Sequence, residues 1–164
     1  MPQLIDIHGA LPRQLGSLTL AQAHAMIGGD RPDSIPFIVW LLENPDSPLA
    51  LPGEIHLREH DYLHLLLGRG FSADDEAYVI GFTMGNALTT ERWHIWLYKV
   101  ISVLMYPPKF RFTAVNLQKI DLGFALGRKL SVKNLNKLDF TNYQNWHIQQ
   151  LREGLKIAEE LGSF

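Results

Sequence analysis

Residues 58–76 read REHDYLHLLLGRGFSADDE, and their punctuation decides the fold. From Ile55 onward the spacing of Leu57, Leu63, Leu66 and Leu67 predicts a helix over 55–70 with leucines for a core, and Gly68 and Gly70 supply its stop. Ser72 stands three residues before Asp75, with Glu76 behind it. That is the pattern of a capped N-terminus whose first turn carries acids where the helix dipole favours them. Two helices joined by a tight turn are therefore expected in the middle of the chain.

The helical period continues on both sides. Residues 17–29 open on a Ser/Thr cap, place Leu20, Ala23 and Ile27 on one face, and stop at paired glycines. Residues 33–44 start at Asp33 with Pro36 in the first turn, and the proline-rich stretch 45–53 reads as a loop. The helix opened by Ser72 runs through 76–88. Another, continuous with it or separate, covers 89–106 until Pro107 and Pro108. Residues 111–130 are helical by spacing, with Val115, Ile120, Leu122 and Leu126 facing inward. A closing helix over 142–162 carries Trp146, Leu151, Leu155, Ala158 and Leu161 near one stripe and ends at Gly162. No alternating segment lies between hairpin turns, and no internal repeat occurs. The expectation is all-α, a single-domain bundle over 1–164 with about seven helices.

A chain of 164 residues can bury a core without staples. It has no cysteine, which excludes disulfides, thiolate metal ligands and a cysteine nucleophile. The first residues lack a basic region followed by a long apolar run, so no secretory signal is predicted, and no run approaches the ~18 apolar residues of a spanning helix. The net charge of −2 hides an asymmetry: residues 1–91 carry 4 basic and 12 acidic side chains, residues 92–137 carry 9 and 1. Such a basic segment either faces an anionic surface or neutralises the acidic half within the fold. The negative total and the lack of a recognition motif argue against nucleic acid.

One turn of helix separates His60 from His64, so both project from one face, and Asp61 can share it with a small rotation. Glu76, at the start of the next helix, is placed to fold back as a further ligand. Two imidazoles with carboxylates suit a borderline divalent ion such as zinc, and also iron or manganese. The competing reading is a solvated helix face, with Asp61 paired to Arg58 and Glu76 serving only its own helix dipole. His56, His94 and His147 stand alone and read as ordinary surface or core histidines.

The pattern H-D-x-x-H-x(11)-E, carried unbroken by His60, Asp61, His64 and Glu76, resembles the signature of the Coq-four family of coenzyme Q (ubiquinone) biosynthesis proteins. The LLLG at 65–68 and the tail LREGLKIAEELG at 151–162 are similar to that family's sequences as well. The resemblance implies an all-helical protein holding a divalent metal, zinc before iron or manganese, on those four residues. It also implies contact with a prenylated quinone precursor or other isoprenoid lipid at a membrane surface, and association with other quinone-biosynthesis proteins, a homo-oligomer being open. The implied reaction is oxidative decarboxylation of a polyprenylated hydroxybenzoate, the ring carboxylate giving way to a hydroxyl. The alternative within the same resemblance is a non-catalytic isoprenoid-binding scaffold with a structural metal. Without the leading segment of organellar members, the chain reads as a bacterial form, cytoplasmic and peripheral on the inner membrane, or as a trimmed form on the matrix side of the mitochondrial inner membrane. A third class, the His-Asp phosphohydrolases, needs another histidine and a distant aspartate, for which His24 and Asp121 are the candidates.

Three further features stand out. Gly81 with Gly85, and Gly123 with Gly127, lie one turn apart and favour close helix contact over an opened lipid groove. Residues 93–112 interleave Trp and Tyr with Lys99, Lys109 and Arg111, a composition suited to a membrane interface. Asp121, the one acid of the basic segment, is expected either to pair with Lys119 or Arg128 or to handle protons near the site.

Overall fold

The helix begun at Ser72 is the element around which the others pack. The structure, a computed structural model, describes residues 13–27 and 37–161, with the side chains of Arg13, Gln14 and Phe37 left out. Its α-helices are α1 (Leu20–Ile27), α2 (Phe37–Glu43), α3 (Leu57–Leu67), α4 (Ala73–Asn86), α5 (Arg92–Leu104), α6 (Ala114–Lys129), α7 (Ile148–Gly154) and α8 (Ile157–Leu161), linked by short 3-10 turns. Among the described residues the only strand-like pairing is an isolated bridge between Thr19 and His147. The protein is all-α, with eight α-helices in the described part where about seven were expected. Asp33 and Pro36, read as the start of the second helix, lie outside the described residues, as do Gly28, Gly29 and Gly162.

α4 is buried from Ala77 to Asn86, and its two sides define two cores. Tyr78, Val79 and Phe82 join Leu20, Leu63, Phe140 and Ile148 on one side. Ala77, Ile80 and Met84 join Leu42, Tyr98, Tyr106 and Ile120 on the other. The most extensive helix pairing is α4 with α6, and glycine makes it so. A Cβ built on Gly123 would lie 2.8 Å from the Phe82 amide nitrogen, and one on Gly81 2.8 Å from Ile120 Cα. Backbone meets backbone there, which supports close contact and leaves no groove between the two glycine pairs.

α3 ends where its sequence predicts. Gly68 adopts φ 65°, the left-handed geometry of a C-cap, and its N–H reaches Leu65 O. Arg152 of α7 donates to Leu66 O at 2.8 Å and to Leu65 O at 3.0 Å, so a cation covers the negative end of the helix. Ser72 Oγ accepts from the Asp75 amide and opens α4 after only a short turn.

Of the two forms open for 76–106, continuous or separate, the structure has two separate helices, because Glu91 and His94 form a reciprocal capping box that starts α5 afresh. Two expectations are corrected. In α6, Val115 and Leu122 face solvent (53% and 57% exposed), while Asn116, Ile120, Gly123 and Gly127 face α4. The closing helix is split: a 3-10 turn at Phe140–Tyr143, then α7 opened by a His147–Gln150 capping box, then a break at Lys156 (φ 64°) before α8. Trp146, expected on the apolar stripe, is left half exposed. Among the described residues no helix is long and apolar enough to cross a membrane.

Candidate metal centre

α3 carries His60 and His64 one turn apart on the side that faces the start of α4. The short turn between the helices returns the chain so that Glu76, in the first turn of α4, meets both imidazoles. Glu76 Oε2 lies 3.4 Å from His64 Nε2 and 3.7 Å from His60 Nε2, and the possible ligand atoms of the three residues all fall within 4.8 Å of one another.

These distances are too long for good hydrogen bonds and right for two ligands sharing one ion. Zinc bonds of ~2.0–2.1 Å to nitrogen and oxygen place tetrahedral donors about 3.3 Å apart. Both Nε2 atoms are buried without a hydrogen-bond partner, a costly state for a polar atom unless something else satisfies it. His64 is fully buried, and its Nδ1 lies 2.7 Å from the Gly70 carbonyl oxygen. A carbonyl only accepts, so Nδ1 carries a hydrogen, which leaves Nε2, facing Glu76, as the atom that would bind an ion. Phe71 stacks on the same ring at 4.4 Å between centroids and holds its plane.

The electrostatics suit a cation. Burial pushes His60 down to about 4, against the pull of Glu76 and with help from His64. Burial acts the same way on His64, but the Glu76 carboxylate and the Gly70 carbonyl outweigh it and raise the imidazole above its ordinary value. Glu76 feels a burial penalty of its own, and the two imidazoles overcome it and hold the carboxyl below the usual range. The result is an ionised carboxylate facing two imidazoles, a donor set that a divalent ion completes. The residues present fit such an ion.

Asp61 is placed differently from the other three predicted ligands. It is buried, and its Oδ2 lies 3.3 Å from His24 Nε2 on α1. Burial raises its carboxyl to about 6, partly offset by His24. Arg58, the alternative partner, pairs with Glu59 instead. Asp121 is exposed on α6 and pairs with Lys99, neither Lys119 nor Arg128, so it lies outside the cluster that a His-Asp phosphohydrolase would need. The solitary histidines have local roles. His94 belongs to the α5 cap, His147 Nδ1 meets Ser17 O at 2.8 Å, and exposed His56 lies 4.0 Å from Asp46.

Sequence reading missed a second polar group close by. Glu43, at the end of α2, is hydrogen-bonded by the hydroxyls of Tyr98 and Tyr106, each at 2.7 Å, and lines a pocket that also reaches His60. Its one signal was a lone acid closing the apolar run FIVWLLE, indistinguishable in sequence from an ordinary helix end. No family model, curated protein or solved structure matches the chain.

Proposed function

We propose that this is a divalent-metal enzyme of prenylquinone biosynthesis, carrying out oxidative decarboxylation of a polyprenylated hydroxybenzoate at a membrane surface, as the resemblance to the Coq-four family implies. Zinc is the first candidate ion, with iron or manganese behind it. The observation that carries the reading is the convergence of His60, His64 and Glu76, at the spacing of ligands sharing one ion, on the motif that bears the resemblance. A bound divalent ion would supply Lewis acidity toward an oxygen of the ring carboxylate or phenol. His60, His64, oriented by Gly70, and the Glu76 carboxylate would hold that ion as ligands and leave a position for the substrate oxygen. Dioxygen is the oxidant, since zinc has no redox chemistry: the ring carboxylate leaves as carbon dioxide, a hydroxyl takes its place, and with one water consumed the dioxygen is reduced by two electrons to hydrogen peroxide.

Three protein donors with one tetrahedral position to spare are typical of catalytic zinc sites, whereas structural sites use four. With Asp61 held by His24, this count favours the enzyme over a scaffold with a structural metal. The exposed tryptophans of α5 support the surface role, and with it a peripheral location on the bacterial inner membrane or the mitochondrial matrix side. Partners under this reading are the prenylated ring, the membrane, other quinone-biosynthesis proteins and further copies of the chain.

The test is turnover. Metal-loaded protein given a prenylated 4-hydroxybenzoate under air should release carbon dioxide and yield the ring hydroxyl. Full metal occupancy without turnover would move the protein to the scaffold class. Absence of any bound metal would remove both readings.

A further inference from the structure

Glu43 lines a mostly apolar pocket whose other polar side chains include Asn44, Glu54, His60 and Thr83. Val39, Leu42, Ile80 and Met84 form its walls, with the flat rings of Trp40 and His60 also lining it. Both tyrosine hydroxyls converge on one oxygen, Glu43 Oε1, at 2.7 Å, and both tyrosines are almost wholly buried. A carboxylate offers about four acceptor positions. Both of these bonds go to Oε1; the other oxygen, Oε2, is not among the buried atoms left without a partner and is open to solvent on the pocket side.

An acceptor with spare capacity in an apolar pocket selects ligands that bring a donor, because any other ligand leaves it desolvated and unpaired. The flat faces of Trp40 and His60 among apolar walls suit stacking by an aromatic ring. We propose that this pocket is a binding site for a ring hydroxyl, with the ligand O–H donated to Glu43 and the ring held beside His60. Tyr98 and Tyr106 orient the carboxylate, and the carboxylate reads the hydroxyl. A ligand carboxylate at the same place meets charge repulsion, so Glu43 separates a neutral phenolic end from an anionic one. The site goes beyond the metal reading: it belongs to Glu43 and the two tyrosines, and it does not need an ion to form.

Burial raises the Glu43 carboxyl to about 7, with the two tyrosine hydrogen bonds pulling the other way and Glu76 adding to the rise. The test is therefore run at pH 8, where the group is an acceptor only. Protein labelled with carbon-13 at the methionine methyls is titrated with phenol, anisole, benzoate and benzylammonium. The Met84 methyl reports the pocket and Met105, 62% exposed, serves as the reference. Phenol should shift Met84 to saturation and leave Met105 in place, with anisole at least about tenfold weaker and benzoate weaker still. In Glu43→Gln the preference for phenol over anisole should fall to within about threefold. Equal titration by phenol and anisole, no Met84 shift with phenol, or tighter binding of benzylammonium than phenol would each overturn the assignment. If the variant does not fold, the comparison within the parent decides. A protein found to contain no metal would leave this titration unchanged, so the two readings fail separately.

Discussion

The His64 imidazole has one hydrogen bond, to the Gly70 carbonyl, and its other nitrogen faces Glu76. Removing either side of that arrangement should remove the ion. His64→Ala and Glu76→Gln are expected to fall from one metal equivalent to none by elemental analysis after dialysis. Asp61→Asn should keep one equivalent, weakened by no more than the ~10–100-fold of an outer partner, because Asp61 is bonded to His24. Complete metal loss in Asp61→Asn would restore Asp61 to the ligand set. Glu43 gives the second residue-scale prediction. Its carboxyl is raised from 4.5 to about 7, so between these values the folded protein binds more protons than the unfolded chain. Stability from this group is full below about 4.5 and declines as pH rises toward 7. Urea unfolding from pH 5 to 7.5 should therefore show the parent losing on the order of 2 kcal/mol relative to Glu43→Gln. A difference that does not change with pH would mean the carboxyl is ionised throughout. At this scale the sequence carried the histidines and Glu76, since a helix, a glycine stop and a serine cap leave little choice in how the chain returns. It could not separate Asp61 from its neighbour, because that depends on α1, whose contact with α3 is not written in the motif.

Among the helices, local signals set the ends and tertiary contact set the faces. The caps at Ser72 and Gly68 could be read from sequence because each acts within four residues. On α6 the inward Ile120 is as expected, but two further contact positions are glycines, which carry no hydrophobic signal, while Val115 and Leu122 supply a period that points outward. The closing segment kept a plausible stripe but not one helix, since two internal caps and a left-handed Lys156 interrupt it. The α4–α6 seam makes its own prediction. Gly81→Ala and Gly123→Ala would drive a methyl into the facing backbone, which has no rotamer with which to yield. Each should lower stability by about 1–3 kcal/mol, and by more if the helices cannot separate, measured as a fall in Tm. Gly154→Ala, with nothing within 4 Å of its added Cβ, is the control and should be neutral or stabilising by up to about 1 kcal/mol. Equal effects at all three positions would mean that the seam is looser than its backbone contacts indicate.

Across the molecule, among the described residues, Lys99 of the basic segment pairs with Asp121 of the same segment, Lys129 with Glu160, and Lys137 with Glu54 of the acidic first half. Arg92, Lys109 and Lys119 have no ion pair among the described residues. Arg92 stands one turn before Trp96, which is 64% exposed, and Trp93 lies on the neighbouring turn at 54%. A helix with indole rings outward and cations beside them is suited to an anionic lipid surface, where the rings sit at headgroup depth and the charges meet phosphate. Under the proposed function, the protein should co-sediment with anionic vesicles more than with neutral ones, and added salt should release it as the Debye length shortens. Trp96→Ser should reduce vesicle affinity about tenfold through lost apolar burial, yet leave Tm nearly unchanged because the side chain touches little of the core. The salt and tryptophan arms answer different questions. Salt sensitivity alone would place attraction in the cations, and loss on Trp96→Ser places insertion at α5. Equal binding to neutral and anionic vesicles, with Trp96→Ser indistinguishable from the parent, would leave the exposed rings of α5 to a protein partner and take the membrane out of the proposed function.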